Sequence, residues 1–225
     1  MMNEISVVAV DDHSIITHGI EFILSEHPNI NVVGRGCVGG DILPLLKMHD
    51  PDVLILDLNM PQSRDGDGGQ FKALPTIAQI IKQFPDLAII ILTNYYVPTI
   101  IQGALELGVK GYFLKSDHME TALSSVILKI SKGGVAFSDT VERNLFGNIL
   151  KKKPLPKLTD RHVEVLSLLA INGDASNAEL AAELGISEDT VKHHLTKIFI
   201  ALDVTNRTTA IIRAAQTGIV SIRHL

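Results

Sequence analysis

Four apolar runs in this chain each end in a side chain able to do chemistry. Asp11 and Asp12 follow Ile5–Val10, Asp57 follows Val53–Leu56, Thr93 closes the run from Leu87, and Lys115 follows Val109–Leu114. Singly each has a bland reading: a capping turn with Ser14 as N-cap, a turn aspartate, a strand-end hydroxyl, a surface lysine. Together they make another set. Three carboxylates suit a hard cation such as Mg2+, a hydroxyl can donate to a phosphoryl oxygen, and an ammonium can pair with its charge. That is the equipment of phosphoryl transfer, in which positioning and charge neutralisation do most of the work.

For these groups to meet, the runs must be strands of one parallel sheet. Runs of four to seven branched residues bounded by turn residues read as strands buried on both faces. The spacing predicts strands at Ile5–Val10, Ile30–Arg35, Val53–Leu56, Leu87–Thr93 and Val109–Leu114. Helices are expected at Ile15–Leu24, from Gly39 to Met48, and over Leu74–Phe84, Pro98–Leu107 and His118–Lys132. Five strands alternating with five helices give an α/β, doubly wound five-stranded parallel sheet, with the strand ends sharing one edge. The stretch from Gln62 to Gln70 is rich in Asp and Gly but lacks the closing glutamate of an EF-hand, and is read as a flexible surface loop.

Behind it the pattern becomes helical. Residues 133–157 read as a connector, with a short helix from Asp139 to Leu150 and a basic, proline-bearing tether, Lys151–Lys157. From residue 158 to 225 four helices are expected. Thr159 caps the first, Ser176–Glu179 is a capping box for Asn177–Leu184, Ser187 caps a third to Leu202, and the fourth runs from Arg207 to Thr217. Val191, Leu195, Ile198 and Leu202 recur at helical spacing and predict a buried stripe, leaving Lys192, His193, Thr196 and Lys197 outside. Helix, glycine turn at Gly185, then a helix with a polar outer face is helix-turn-helix geometry.

Composition fits this division. The net charge is −5, with 10 Lys and Arg against 17 Asp and Glu in residues 1–150 and 10 against 8 in residues 151–225. An acidic front and a slightly basic back suit cation or phosphate chemistry first and nucleic acid second. A single cysteine, Cys37, excludes an internal disulfide framework. No apolar run approaches the ~18 residues of a membrane span, and the N-terminus does not read as a signal peptide. The expectation is a soluble, cytoplasmic protein.

Residues 1–132 resemble the receiver domain of a bacterial two-component response regulator. The resemblance is carried by Asp11-Asp12, Asp57 with Met60-Pro61, Thr93, and Gly111-Tyr112-Phe113-Leu114-Lys115. It implies a flavodoxin-like receiver in which Asp57 accepts a phosphoryl group from a sensor histidine kinase. It also implies that Asp12 and Asp57 bind Mg2+ directly, Asp11 through water and Asn59 through its backbone carbonyl. Thr93, Lys115 and Tyr112 would read the phosphoryl group, Tyr112 as an aromatic that turns inward. The loop after Pro61 is longer than the family's usual one. Tyr95 stands near where water must reach the acyl phosphate, and with Asn59 is expected to tune its loss.

The second half resembles the LuxR-type DNA-binding domain. Leu158-Thr159, Glu164-Val165-Leu166, Ser176-Asn177, Glu179, Gly185-Ile186-Ser187, Thr190-Val191-Lys192, His194 and Asn206-Arg207-Thr208 carry it. Both halves together resemble the NarL/FixJ subfamily. The resemblance implies Lys192, His193 and Thr196 at base edges of double-stranded DNA, Lys197 and Arg207 on phosphates, and His194 packed or capping. Ala178, Ile200 and Ala201 stand where the family often has basic residues, so a monomer is expected to bind weakly. The whole reads as a phosphorylation-gated transcription regulator, not a turnover enzyme. Its receiver would hide or misplace the helix after Ser187 until phosphorylation made a homodimer. A phosphatase of the haloacid-dehalogenase type fits less well, since it wants an aspartate where Asn59 stands. A regulator using its receiver only to dimerise is the stronger rival.

Overall fold

The computed structural model describes residues 4–65, 68–117, 122–146, 158–173 and 175–220. The strands β1 (Ile5–Val10), β2 (Ile30–Gly36), β3 (Val53–Leu56), β4 (Ala88–Thr93) and β5 (Gly111–Leu114) form one parallel sheet. A sixth strand, β6 (Ala136–Phe137), extends it, and the order is β2-β1-β3-β4-β5-β6. The expectation of five strands is therefore one short. β6 pairs with β5 through Gly111–Ala136 and Tyr112–Phe137, too short a segment to show any periodicity.

Alternation along each strand sends side chains into two cores. Val8, Val10, Leu54, Leu56, Ile89 and Ile91 face one side, and Val7, Ala9, Val53, Ile55 and Ile90 the other. Helices α2 (Ile42–His49), α3 (Ala73–Gln83) and α4 (Pro98–Leu107) cover the first face. Helices α1 (Ser14–Ser25) and α5 (Leu123–Ser131) cover the second. Burial on both faces is why the strands lack a polar alternation.

Two helix starts differ from expectation. His13, not Ser14, is the N-cap of α1 and makes no side-chain cap bond; Ser14 is already helical, its carbonyl accepting from Thr17. Helix α2 is entered through a 3-10 turn, Gly39–Asp41, where the Asp41 carboxylate takes the N–H groups of Cys37 and Val38. The start expected for α5 at His118 lies outside the described residues. Helix α4 ends at Gly108, whose φ of 103° only glycine adopts without strain.

Helix α6 (Asp139–Phe146) packs Val141 into the first core. The tether Lys151–Lys157 lies outside the described residues. Beyond it α7 (Asp160–Ile171), α8 (Asn177–Leu184), α9 (Glu188–Leu202) and α10 (Arg207–Gln216) enclose a third core. Thr159, Ser176, Ser187 and Asn206 each accept the N3 amide of the helix they start. Gly185 turns α8 into α9 at φ 64°.

The halves meet through α10. Asn206 Nδ2 donates to the carbonyls of Leu105 (3.3 Å) and Glu106 (2.8 Å) at the end of α4. Lys110 Nζ lies 3.4 Å from Thr208 Oγ1, Gln216 donates to the Leu145 carbonyl at 2.9 Å, and Ile212 joins the receiver's first core. Val135 packs the other way, into the third core.

Candidate functional site

The turn after β3 is built around the Asp57 side chain. Asp57 N–H donates to the Val10 carbonyl at 2.9 Å, tying β3 to the end of β1. The next two amides fold back onto Asp57 Oδ1, Leu58 N at 2.7 Å and Asn59 N at 3.2 Å. Lys115 reaches in from the end of β5. Its Nζ lies 2.8 Å from Asp57 Oδ2 and 2.6 Å from Asp11 Oδ2, and both carboxylates are only 3% exposed. One largely enclosed ammonium, its side chain 9% exposed, thus bridges two buried carboxylates that would otherwise repel each other.

Burial raises the Asp11 carboxyl above its usual range, outweighing the Lys115 bond and the N–H of His13 that hold it down. Burial alone would lower the Lys115 ammonium, but its bonds to Asp11 and Asp57 reverse the sign and raise it. Asp12 is exposed beside them and accepts from His13 Nδ1 at 2.7 Å. One ligand atom each of Asp11, Asp12 and His13 lie within 4.8 Å of one another. His13 belongs to this cluster, a neighbour to which the sequence alone assigns no role. Its position beside the aspartate pair was the only signal.

Thr93 and Tyr112 lie on the neighbouring strands. Thr93 is 1% exposed, its carbonyl accepts Lys115 N–H at 2.8 Å, and its hydroxyl has no partner among the described residues. Tyr112 is fully buried and points inward, donating to the Tyr95 carbonyl at 3.1 Å. Burial first, and the charge of Asp57 second, push its phenol up to about 12. Tyr95 itself is 56% exposed. Asp11, Asp57, Thr93, Lys115 and Tyr112 therefore converge at one sheet edge, with Asp12 and Asn59 at its exposed rim.

The stretch expected to be a flexible loop is instead an ordered return. Pro61 and Gln70 form an antiparallel bridge, Gln62 N donates to Gly69 O at 2.9 Å, and Phe71, 5% exposed, enters the first core. Gly66 and Asp67 lie outside the described residues.

On α9, Val191, Leu195, Ile198 and Leu202 are buried, and Lys192, His193, Thr196 and Lys197 are exposed. Among the described residues the receiver's hydrogen bonds and core contact go to α10, and this face of α9 stays exposed. Lys192 pairs along the helix with Glu188 (3.2 Å) and Asp189 (3.3 Å). His194 packs edge-on to His162, ring centroids 5.4 Å apart. Arg207, expected on phosphates, is turned into the protein. Its guanidinium donates to the Ala175 carbonyl and, at 2.5 Å, to Asn177 Oδ1, pinning α10 to the start of α8. Burial lowers its pKa. Ile200 is exposed on the same helix, an apolar side chain on an otherwise polar face.

Among the described residues no helix is long and apolar enough to cross a membrane. Residues 7–126 match the family described as "Response regulator receiver domain", and residues 156–214 match "Bacterial regulatory proteins, luxR family". The chain is 33% identical to the transcriptional regulatory protein YdfI of Bacillus subtilis, covering 96% of this chain and 98% of that one. It is 32% identical to the response regulator protein VraR of Staphylococcus aureus, covering 96% and 99%. Among solved structures it resembles RcsB of Salmonella enterica bound to the promoter rprA in the presence of phosphomimetic BeF3-. That match has 29% identity, a TM-score of 0.54, and covers 95% of this chain and 99% of that one. A convergent acidic edge with a bridging lysine, joined to a helix-turn-helix, agrees with these matches: the chain belongs to the response regulators that carry a receiver domain and a LuxR-family DNA-binding domain.

Proposed function

We propose that Asp57 is the phosphoacceptor of a transcription regulator whose DNA binding the phosphoryl group controls. The observation that carries this is Lys115 bridging Asp57 and Asp11 inside a buried site at the strand ends. A sensor histidine kinase is the expected donor in the cytoplasm, and transfer is a single covalent step. An oxygen of Asp57 bonds to phosphorus as the bond to the donor breaks. Asp57 then keeps the phosphoryl group, so the protein is acceptor and partial catalyst but not a turnover enzyme.

The donor set suits Mg2+: hard carboxylate oxygens, two buried and one exposed, beside a backbone turn. Asp11, Asp12 and Asp57 would hold it together with the carbonyl of Asn59. There it would neutralise charge on the phosphoryl oxygens. Lys115, freed from its bridge, pairs with one of those oxygens. The Thr93 hydroxyl, buried without a partner among the described residues, can donate to another.

Signal leaves through Thr93 and Tyr112. Tyr112 is tied to the Tyr95 carbonyl, two residues after Thr93 and three before α4 begins. Movement there shifts α4, and the end of α4 is what Asn206 clasps. The bistable element is therefore the seat of α10, and its release lets two chains pair on DNA. RcsB is described as two dimers bound to two parallel DNAs, and a homodimer on paired half-sites fits here too. Lys192, His193 and Thr196 would meet base edges and Lys197 phosphates.

The test is binding to duplexes selected from random sequence, with and without a small phosphodonor and Mg2+. The wild type should bind more tightly after phosphorylation and Asp57→Ala should not respond. Equal binding by both under both conditions would instead make the receiver a constitutive dimerisation module.

A further inference from the structure

The long return between Met60 and Phe71 brings a second amide to the rim of the phosphoacceptor site. The segment is locked from both sides. Phe71 N donates to Met60 O at 3.1 Å and Gln62 N to Gly69 O at 2.9 Å, so the two limbs run as a narrow antiparallel pair. From outside, Gly39 and Gly40 donate to the carbonyls of Pro61 (3.0 Å) and Gln62 (2.8 Å), and Arg64 pairs with Asp41 at 3.1 Å. A Cβ at Gly39 would stand 2.6 Å from the Phe71 ring, so the fit against the 3-10 turn is close.

This register sets Gln70 opposite Pro61, and Gln70 Nε2 donates to Asn59 Oδ1 at 2.7 Å. Asn59 is the residue whose N–H already holds Asp57 Oδ1. Both side chains are exposed at the rim. The amide pair leaves Asn59 Nδ2 as a free donor and Gln70 Oε1 as a free acceptor among the described residues. A water attacking an acyl phosphate needs such a pair: an acceptor for its proton and a donor to fix its lone pairs or the phosphoryl oxygens.

We infer that Gln70 is a positioning residue for loss of the phosphoryl group, holding Asn59 so that the pair orients the attacking water. The inference rests on Asp57 being the phosphoacceptor. In the step, water oxygen bonds to phosphorus as the bond from phosphorus to the Asp57 oxygen breaks. The electrons of that bond return to the Asp57 carboxylate. Both water protons leave with the phosphate, so the acyl phosphate dianion and water give carboxylate and dihydrogen phosphate. The extra residues of the loop would thus set the lifetime of the signal.

The full-length protein is phosphorylated with a small phosphodonor and Mg2+, the donor is removed, and the surviving phosphoprotein is followed by intact mass. Gln70→Ala should slow the decay roughly threefold to tenfold, the worth of one oriented hydrogen bond. Asn59→Ala should slow it as well, and the double variant should decay no more slowly than Asn59→Ala, because the two amides act as one bonded pair. Gln70→Glu, which keeps the reach but cannot donate to Asn59, should behave like the alanine variant. A Gln70→Ala decay at the wild-type rate or faster, or independent multiplying effects in the double variant, would overturn the inference. A failure of the wild type to take any label would instead overturn the phosphoacceptor reading, and this inference with it.

Discussion

The receiver pocket and the outer face of α9 use charge in opposite ways. In the pocket one ammonium, Lys115, is 9% exposed between two carboxylates 3% exposed, and a backbone amide holds the Asp57 carboxylate in place. On α9 the ammonium of Lys192 stands in solvent and, among the described residues, pairs only with Glu188 and Asp189 of its own helix. Burial makes the first interaction strong and costly to disturb; solvent makes the second weak and exchangeable. A covalent step needs groups already in place, whereas a reading face must trade its partners for those of a duplex.

The comparison can be broken at either end. Lys115→Ala leaves two buried carboxylates without their cation and should cost about 3 kcal/mol at neutral pH without divalent cations. Urea unfolding checks this, and an unchanged midpoint would show the bridge to be electrostatically idle. Leu195→Ala removes the centre of the α9 stripe and should cost about 3 kcal/mol. It should melt the C-terminal half while the receiver still takes its phosphoryl group, which separates the two units.

Lys192→Ala is the counterpart of Lys115→Ala. It should change stability by less than about 0.5 kcal/mol yet weaken binding to a selected duplex roughly tenfold, the value of one good base contact. Ser176→Ala should cost about 1 kcal/mol by opening the capping box with Glu179, visible as a lower melting temperature.

The smallest effect concerns pH. Lys115 and Tyr112 both have raised values in the fold, the Tyr112 phenol at about 12. A raised value favours the protonated form, so the stability these two add is complete below about pH 10 and is lost as pH climbs through their folded values. Melting temperatures taken from pH 9 to 12 should fall, and Tyr112→Phe should flatten part of that fall. A flat wild-type profile would mean that neither group is held as the distances imply.

The sheet was legible because burial on both faces writes strands as unbroken apolar runs, and Val53–Leu56 with Asp57 at its end is the clearest case. The helix-turn-helix was legible because capping residues sit at fixed offsets, as in Ser176–Glu179. β6 was not, since two residues carry no period and Ala136–Phe137 is placed by β5 rather than by local preference. The return at residues 61–71 read as a loose loop because its order comes from Gly39, Gly40 and Asp41, twenty or more residues earlier. Arg207 read as a phosphate contact because a basic side chain at a helix start looks free in sequence. Its partners, Ala175 and Asn177, are neighbours only in the fold. The docking of α10 was likewise invisible, as Asn206 caps its own helix and clasps α4 with the same side chain.

The central claim is that Asp57 takes the phosphoryl group, and intact mass tests it most directly. The protein is incubated with Mg2+ and a small phosphodonor beside Asp57→Ala. The account predicts a gain of one phosphoryl group in the wild type and none in the variant. No gain in the wild type, or an equal gain in Asp57→Ala, would contradict it.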